Sequence, residues 1–197
     1  MAAKSNLTNM VLVLGLTCLL CSGVLGGAYA LTKESIDAAA EAKTEQAIAQ
    51  VLPHFTNLNY NEEGNYFKAE DNDHLVGYAI VSTVVGFGGP LTLVVGVTPD
   101  GVVYNTSVLA HSETPGLGAK CTSDPKFMGQ WKGFNPSIKK LSVKKDGGDV
   151  DAITASTITS RAYTLAVENA LNTFKSLQTP DAVSGATKPV EGGQDNE

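Results

Sequence analysis

The chain has 197 residues, 43% of them hydrophobic, which excludes wholesale disorder and suits one domain with appendages. Its 3 cysteines cannot staple a small disulfide scaffold, so the fold must rest on a hydrophobic core. With 14 basic against 20 acidic residues, a net charge of −6 and Arg161 as the sole arginine, the chain lacks the basic footprint of a nucleic-acid reader, and nucleic acid is excluded as a partner.

No charged residue lies between Lys4 and Lys33, and Met10 to Leu31 reads MVLVLGLTCLLCSGVLGGAYAL. About 20 apolar residues suffice for a helix to cross a bilayer, so 1–31 is read as a short N-terminus and an uncleaved anchor in membrane lipid. Gly23 and Gly27, at GxxxG spacing, permit close helix approach. The alternative is a signal peptide cleaved after Ala28-Tyr29-Ala30, but the apolar run exceeds the usual signal length. Cys18 and Cys21 share a helix face and are read as small packing residues; the other reading, half of a four-thiolate cluster, lacks its remaining thiolates. The segment 32–53 is rich in Ala, Glu and Lys and closes at Pro53, which predicts a helical stalk.

Residues 57–74 are polar and read as a loop with at most one short strand. Three β-branched runs follow: Val76–Val85, Leu91–Thr98 and Val102–Leu109. Gly86-Phe-Gly-Gly-Pro90 separates the first two and Pro99-Asp-Gly101 the second pair, which predicts an antiparallel meander. Phe127, Trp131 and Phe134 are candidate core aromatics, and Ile138–Val143 a possible short strand. From Ser160 to Leu177, Tyr163, Val167, Ala170, Leu171 and Phe174 recur at helical spacing and predict a helix packed on the sheet. The fold class is therefore α+β: an antiparallel sheet packed with helices over 54–177, behind one transmembrane helix and a helical stalk. A tail, 178–197, rich in Pro, Gly, Asp and Glu, reads as disordered.

Two segments could carry chemistry. His111-Ser-Glu-Thr-Pro-Gly-Leu-Gly118 follows a strand, and its glycines let the backbone present bare N–H groups to a flat ring or an anion. Asp151-Ala-Ile-Thr-Ala-Ser-Thr-Ile-Thr-Ser160 opens the last helix with 5 hydroxyl residues in 10, more than one cap requires. A helix N-terminus suits a phosphate, which a threonine hydroxyl there could bind or esterify. His54, His74 and His111 are scattered without a ligand motif, so no metal site is proposed.

Taken together, GYAIVSTVVGFGGPLTLVVGVTPDGVVYNTSVLAHSETPGLGAK and DAITASTITSRAYTLAVENAL resemble the covalent-FMN domain found in the G subunits of Rnf electron-transport complexes. The resemblance implies that 54–177 binds FMN, and that a flavin transferase esterifies its phosphate to the last threonine of an S-[GT]-A-T pattern, here Thr157. Asp151, Thr154 and Ser156 would then belong to the transferase's recognition sequence, with Thr159 and Ser160 at the helix start. Glu113, Thr114, Gly116, Leu117 and Gly118 would lie against the isoalloxazine ring, near the Gly86–Gly89 turn. Thr154-Ala-Ser-Thr157 lacks the pattern's usual glycine, whereas Ser184-Gly-Ala-Thr187 is a closer literal match. Lys188-Pro189 after Thr187 cannot open a helix, which favours Thr157 as acceptor over Thr187.

The resemblance further implies a membrane-anchored electron carrier, with a cytoplasmic N-terminus and a flavin domain on the periplasmic or outer face of the inner membrane. Its partners would be the other membrane and peripheral subunits of a ferredoxin:NAD oxidoreductase exporting Na+ or H+. The alternatives are a component like the C subunits of sodium-translocating NADH:quinone reductases, and an anchored ligand-binding module without redox chemistry.

Overall fold

The computed structural model describes residues 7–178. The acceptor-like motif ending at Thr187, and all of the tail beyond Gln178, lie outside the described residues. The elements are α1 (Leu7–Val51), β1 (Asn57–Asn61), β2 (Tyr66–Asp71), β3 (His74–Val85), β4 (Pro90–Val97), β5 (Val103–His111), α2 (Pro125–Gly129) and α3 (Thr157–Gln178). Short 3₁₀ turns occupy Gly118–Thr122 and Lys144–Asp146. Two compact units divide between Glu45 and Gln46.

The first unit is helical. Anchor and stalk, predicted as separate elements, are parts of the single helix α1. Its threonines do not interrupt it, because Thr17 and Thr32 turn their hydroxyls back onto the carbonyls of Val13 and Ala28 at 3.0 and 2.9 Å. The helix is long and apolar enough to cross a membrane, and its apolar residues from Leu7 to Leu31 are exposed. Cys18 and Cys21 are exposed along it.

The second unit is a five-stranded antiparallel sheet in the order β1-β2-β3-β4-β5. The three β-branched runs form β3 to β5, each within two residues of its predicted ends. The polar stretch before them is not a loop but the hairpin β1–β2. Its sequence hides this because β1, NLNYN, is an exposed edge strand with no buried face. The hairpin is held instead by the cross-strand pair Tyr60–Phe67, with rings 4.6 Å apart. Ile138–Val143 forms turns rather than a strand: Val143 pairs only in a bridge with Val150, and Asp149 clasps the Lys140 N–H at 2.6 Å.

Apolar residues fill both faces of the sheet. Ile80, Val84, Leu91, Leu93, Val95 and Val97 face α3, which lays Tyr163, Val167, Ala170, Leu171 and Phe174 over β3 and β4. Trp131 stacks on Tyr163 with centroids 5.2 Å apart, Phe127 meets Tyr163 edge-on, and Thr106 and the buried Tyr163 share a hydrogen bond of 2.8 Å. On the opposite face Ala47, Ile48, Val51 and Leu52, at the end of α1, cover Ala69, Ala79 and Val94. β4 is thus buried on both sides, which its unbroken LVVGV run requires.

The approach of the α1 end to β4 is so close that a Cβ at Gly96 would collide with the Val51 carbonyl. Neither backbone segment can yield without displacing a packed layer. Gly96→Ala is therefore expected to cost on the order of 2 kcal/mol of stability, read as a lowered urea midpoint. An unchanged midpoint would show that this face packs loosely.

Candidate functional site

Three segments converge at one end of the sheet: the β3–β4 turn Gly86–Gly89, the run after β5 from Ser112 to Gly118, and the approach to α3 from Asp151 to Ser160. Glu113 joins them. Its side chain is buried, and Oε1 accepts from the backbone N–H of Phe87 at 2.7 Å and of Gly88 at 3.4 Å. Oε2 accepts from the Thr159 hydroxyl at 2.8 Å. All three partners offer hydrogens, as a carboxylate requires, and no cation forms an ion pair with it among the described residues. The flanking glycines follow from this carboxylate. A Cβ at Gly86 would strike Oε1, and one at Gly118 would strike Oε2.

The helix start is equally specific. The Ser156 carbonyl accepts from the Ser160 N–H at 3.0 Å, which makes Ser156 the residue that caps α3. The Ser160 hydroxyl donates to that same carbonyl and accepts from the Ile153 N–H, both at 2.9 Å, and so locks the preceding loop against the helix. Ala155 sits in the left-handed region with φ of +61°. Glycine adopts that conformation freely, which gives a physical reason for the usual glycine at this position of the pattern. The first-turn N–H groups of Thr157, Ile158 and Thr159 have no acceptor among the described residues.

Between these segments lies a pocket of about 350 Å³, lined by Phe87, Glu113, Thr114, Leu117, Gly118 and residues Ala155 to Thr159. Phe87, Leu117 and Ile158 leave 68%, 44% and 52% of their surfaces exposed and together give the pocket an apolar rim. Ser156 is nine-tenths buried, lines the pocket and keeps its hydroxyl without a protein partner among the described residues. Thr157 is half-buried, and its hydroxyl accepts from the Lys145 ammonium at 3.2 Å.

Of the residues singled out in the sequence, Glu113, Thr114, Leu117, Gly118, Ser156, Thr157 and Thr159 meet at this pocket. Gly116 is exposed in the left-handed turn of the loop, with φ of +76°. Thr154 is exposed and does not line the pocket; Ser160 is buried and ties the Ile153 loop to the start of α3. Asp151 is turned outward to Lys144, whose ammonium holds its carboxyl below the usual carboxylate range. Lys145 carries no signal in the sequence, and Ala155 and Ile158 none as pocket-lining residues. Lys145 lies in no motif, and only the folded 3₁₀ turn brings it to Thr157. The buried Cys121 thiol is pushed up to about 11 by desolvation, with the Glu113 charge adding to the effect, so it stays protonated and packs as a small apolar group.

A pocket lined by the open start of a helix and rimmed by apolar side chains suits a planar ring carrying a phosphate, and residues 86–172 match the family model of the FMN-binding domain. This defines a flavin-binding electron-transfer domain. The G subunit of the proton-translocating ferredoxin:NAD(+) oxidoreductase complex of Clostridium ljungdahlii is 31% identical over 163 residues, covering 80% of this chain and 86% of that one. Its counterpart in the ion-translocating oxidoreductase complex of Haemophilus influenzae is 34% identical over 172 residues, covering 77% and 82%. The chain belongs to the family formed by the G subunits of ion-translocating oxidoreductase complexes. The crystal structure of Shewanella oneidensis NqrC aligns with a TM-score of 0.46 at 21% identity, covering 66% of this chain and 73% of that one.

Two substitutions test the architecture of the site. Glu113→Ala removes the shared acceptor of the Phe87 and Gly88 N–H groups and strands the buried Thr159 hydroxyl, and should cost about 2 kcal/mol in urea unfolding. Glu113→Gln, which can accept from Phe87 and donate to Thr159, should lose under about 1 kcal/mol. Ala155→Gly relieves the left-handed backbone and should raise stability by up to about 1 kcal/mol; a loss instead would mean the loop relaxes out of that conformation.

Proposed function

We propose that this chain is the flavin-carrying subunit of an Rnf-type complex, with FMN held covalently through its phosphate on Thr157. The observation that carries the reading is the position of the Thr157 hydroxyl. It is half-buried in the first turn of α3, in the same pocket that the Glu113–Gly118 run lines. Glu113 and Thr159 brace the pocket wall; the first-turn N–H groups and Ser156 would hold the phosphate, and Phe87, Leu117 and Ile158 would hold the ring.

Thr157 Oγ would carry the phosphate ester of FMN, with the first-turn N–H groups of α3 beside it. FMN supplies electron transfer when bound, so no side chain of this chain need serve as a general acid or base. The chain's part is to hold the ring, exclude water from one side of it and fix its phosphate.

Under this reading α1 anchors the protein in the inner membrane through its apolar N-terminal part, and the flavin domain stands on the periplasmic or outer face. Its partners are the other membrane and peripheral subunits, and the complex passes electrons between ferredoxin and NAD while exporting Na+ or H+. Support for this comes from the names that the Clostridium and Haemophilus relatives carry.

The test is flavin fluorescence that survives denaturation, read in a denaturing gel of protein made together with the transferase. Thr157→Val should abolish the fluorescent band, and Thr187→Val should leave it at wild-type intensity. The opposite pattern would move the attachment to the tail, and a wild-type chain without fluorescence would overturn the covalent reading.

A further inference from the structure

Three cations crowd the corner beside the α3 N-terminus, and two of them are neutralised. Arg161 makes a two-pronged pair with Asp146, Nε to Oδ2 and Nη2 to Oδ1, each at 2.7 Å. Lys144 pairs with Asp151 at 2.8 Å. Lys145 stands between them in sequence, in the same 3₁₀ turn, yet its Nζ lies within ion-pair distance of no carboxylate among the described residues. Its hydrogen bond goes to the Thr157 hydroxyl at 3.2 Å. The Ser156 hydroxyl, nine-tenths buried and without a protein partner among the described residues, offers a second donor in the adjoining pocket.

We propose that Lys145 and Ser156 form the phosphate-positioning pair of the pocket, Lys145 supplying the counter-charge and Ser156 a neutral hydrogen bond. This rests on the reading that the pocket takes a flavin phosphate. A phosphodiester on Thr157 carries one negative charge, and Lys145, which makes no ion pair among the described residues although its charge reaches Asp146, supplies a positive one beside it. An ammonium already at the acceptor oxygen also lies where charge gathers as a phosphate approaches that hydroxyl. The turn holds Lys145 in place through its neighbours, since Gly147 closes it with φ of +75° and the Lys144 N–H is fixed to the Val150 carbonyl at 2.8 Å. Lys145 is a positioning residue here, acting through the phosphate rather than on the ring.

The experiment titrates FMN and riboflavin, which lacks the phosphate, into the full chain prepared without the transferase, followed by flavin fluorescence. The wild type should bind FMN about tenfold more tightly than riboflavin. Lys145→Gln should erase that preference while changing riboflavin affinity less than twofold, Lys145→Arg should preserve it, and Ser156→Ala should weaken FMN alone by a smaller factor. Because Lys145 is exposed, its variants should keep the wild-type thermal midpoint, which separates a phosphate contact from a folding defect. A Lys145→Gln chain that keeps its preference for FMN, or loses both flavins equally, overturns the proposal. Equal binding of the two flavins by the wild type overturns the phosphate site but leaves the ring pocket standing. Binding of neither overturns the flavin reading beneath it.

Discussion

The buried carboxylate of Glu113 is the constraint on which this site depends. The β4–β5 ladder already sets the Gly86–Gly89 turn beside the run after β5, and Glu113 ties both to the start of α3. The carboxylate takes the backbone donors of the β3–β4 turn on one oxygen and the Thr159 hydroxyl of α3 on the other. A buried acceptor left unpaired costs several times what the bond itself contributes, so the three segments keep their spacing to within a hydrogen bond. The glycines at 86 and 118 are the steric consequence: they leave room for the two oxygens and for nothing larger. Gly86 and Gly118 thus follow from one side chain, whereas Gly88 makes room for the Ser112 carbonyl and Gly116 supplies a left-handed turn.

Around that knot the polar and apolar demands separate cleanly. The α3 N-terminus and its hydroxyls make one wall of the pocket a place for negative charge, and Lys145 stands beside it on the Thr157 hydroxyl. Phe87, Leu117 and Ile158 make its rim a place for a flat apolar body, at the cost of leaving large hydrophobic surfaces in water when nothing covers them. Catalytic side chains are not needed where the bound group does the chemistry, and the domain's own titratable interior is quiet: burial raises both Cys121 and Tyr163 and keeps them protonated. Stability is supplied elsewhere, by α3 and the end of α1 on opposite faces of the sheet, so the pocket need not double as core.

Much of the frame is legible in the residues. β3 to β5 announce themselves because their β-branched runs are longer than any turn and are bounded by glycine and proline. The hairpin β1–β2 escapes such a reading because its edge strand is mostly exposed and only Leu58 and the Tyr60–Phe67 pair tie it down. Helix α3 starts three residues before its apolar period does, since Thr157-Ile-Thr is β-branched and looks unhelical; burial of Thr159 and the Ser156–Ser160 lock override propensity there. The density of hydroxyls points to an unusual helix start, while naming Thr157 takes the family resemblance. What no local pattern can show is pairing across the fold: Glu113 with Thr159, 46 residues apart, or Lys145 with Thr157, whose link is a turn that sequence spacing does not reveal.

The central claim is that a helix N-terminus in a built pocket, not a motif alone, decides where the flavin is joined. A tryptic mass map of the chain purified with its transferase tests it most directly, because Lys145 and Arg161 bound a peptide that holds Thr157 and excludes Thr187. One added flavin phosphate on the Asp146–Arg161 peptide is the predicted result. The same mass found only on the peptide carrying Thr187, in the closer literal match, would contradict the account.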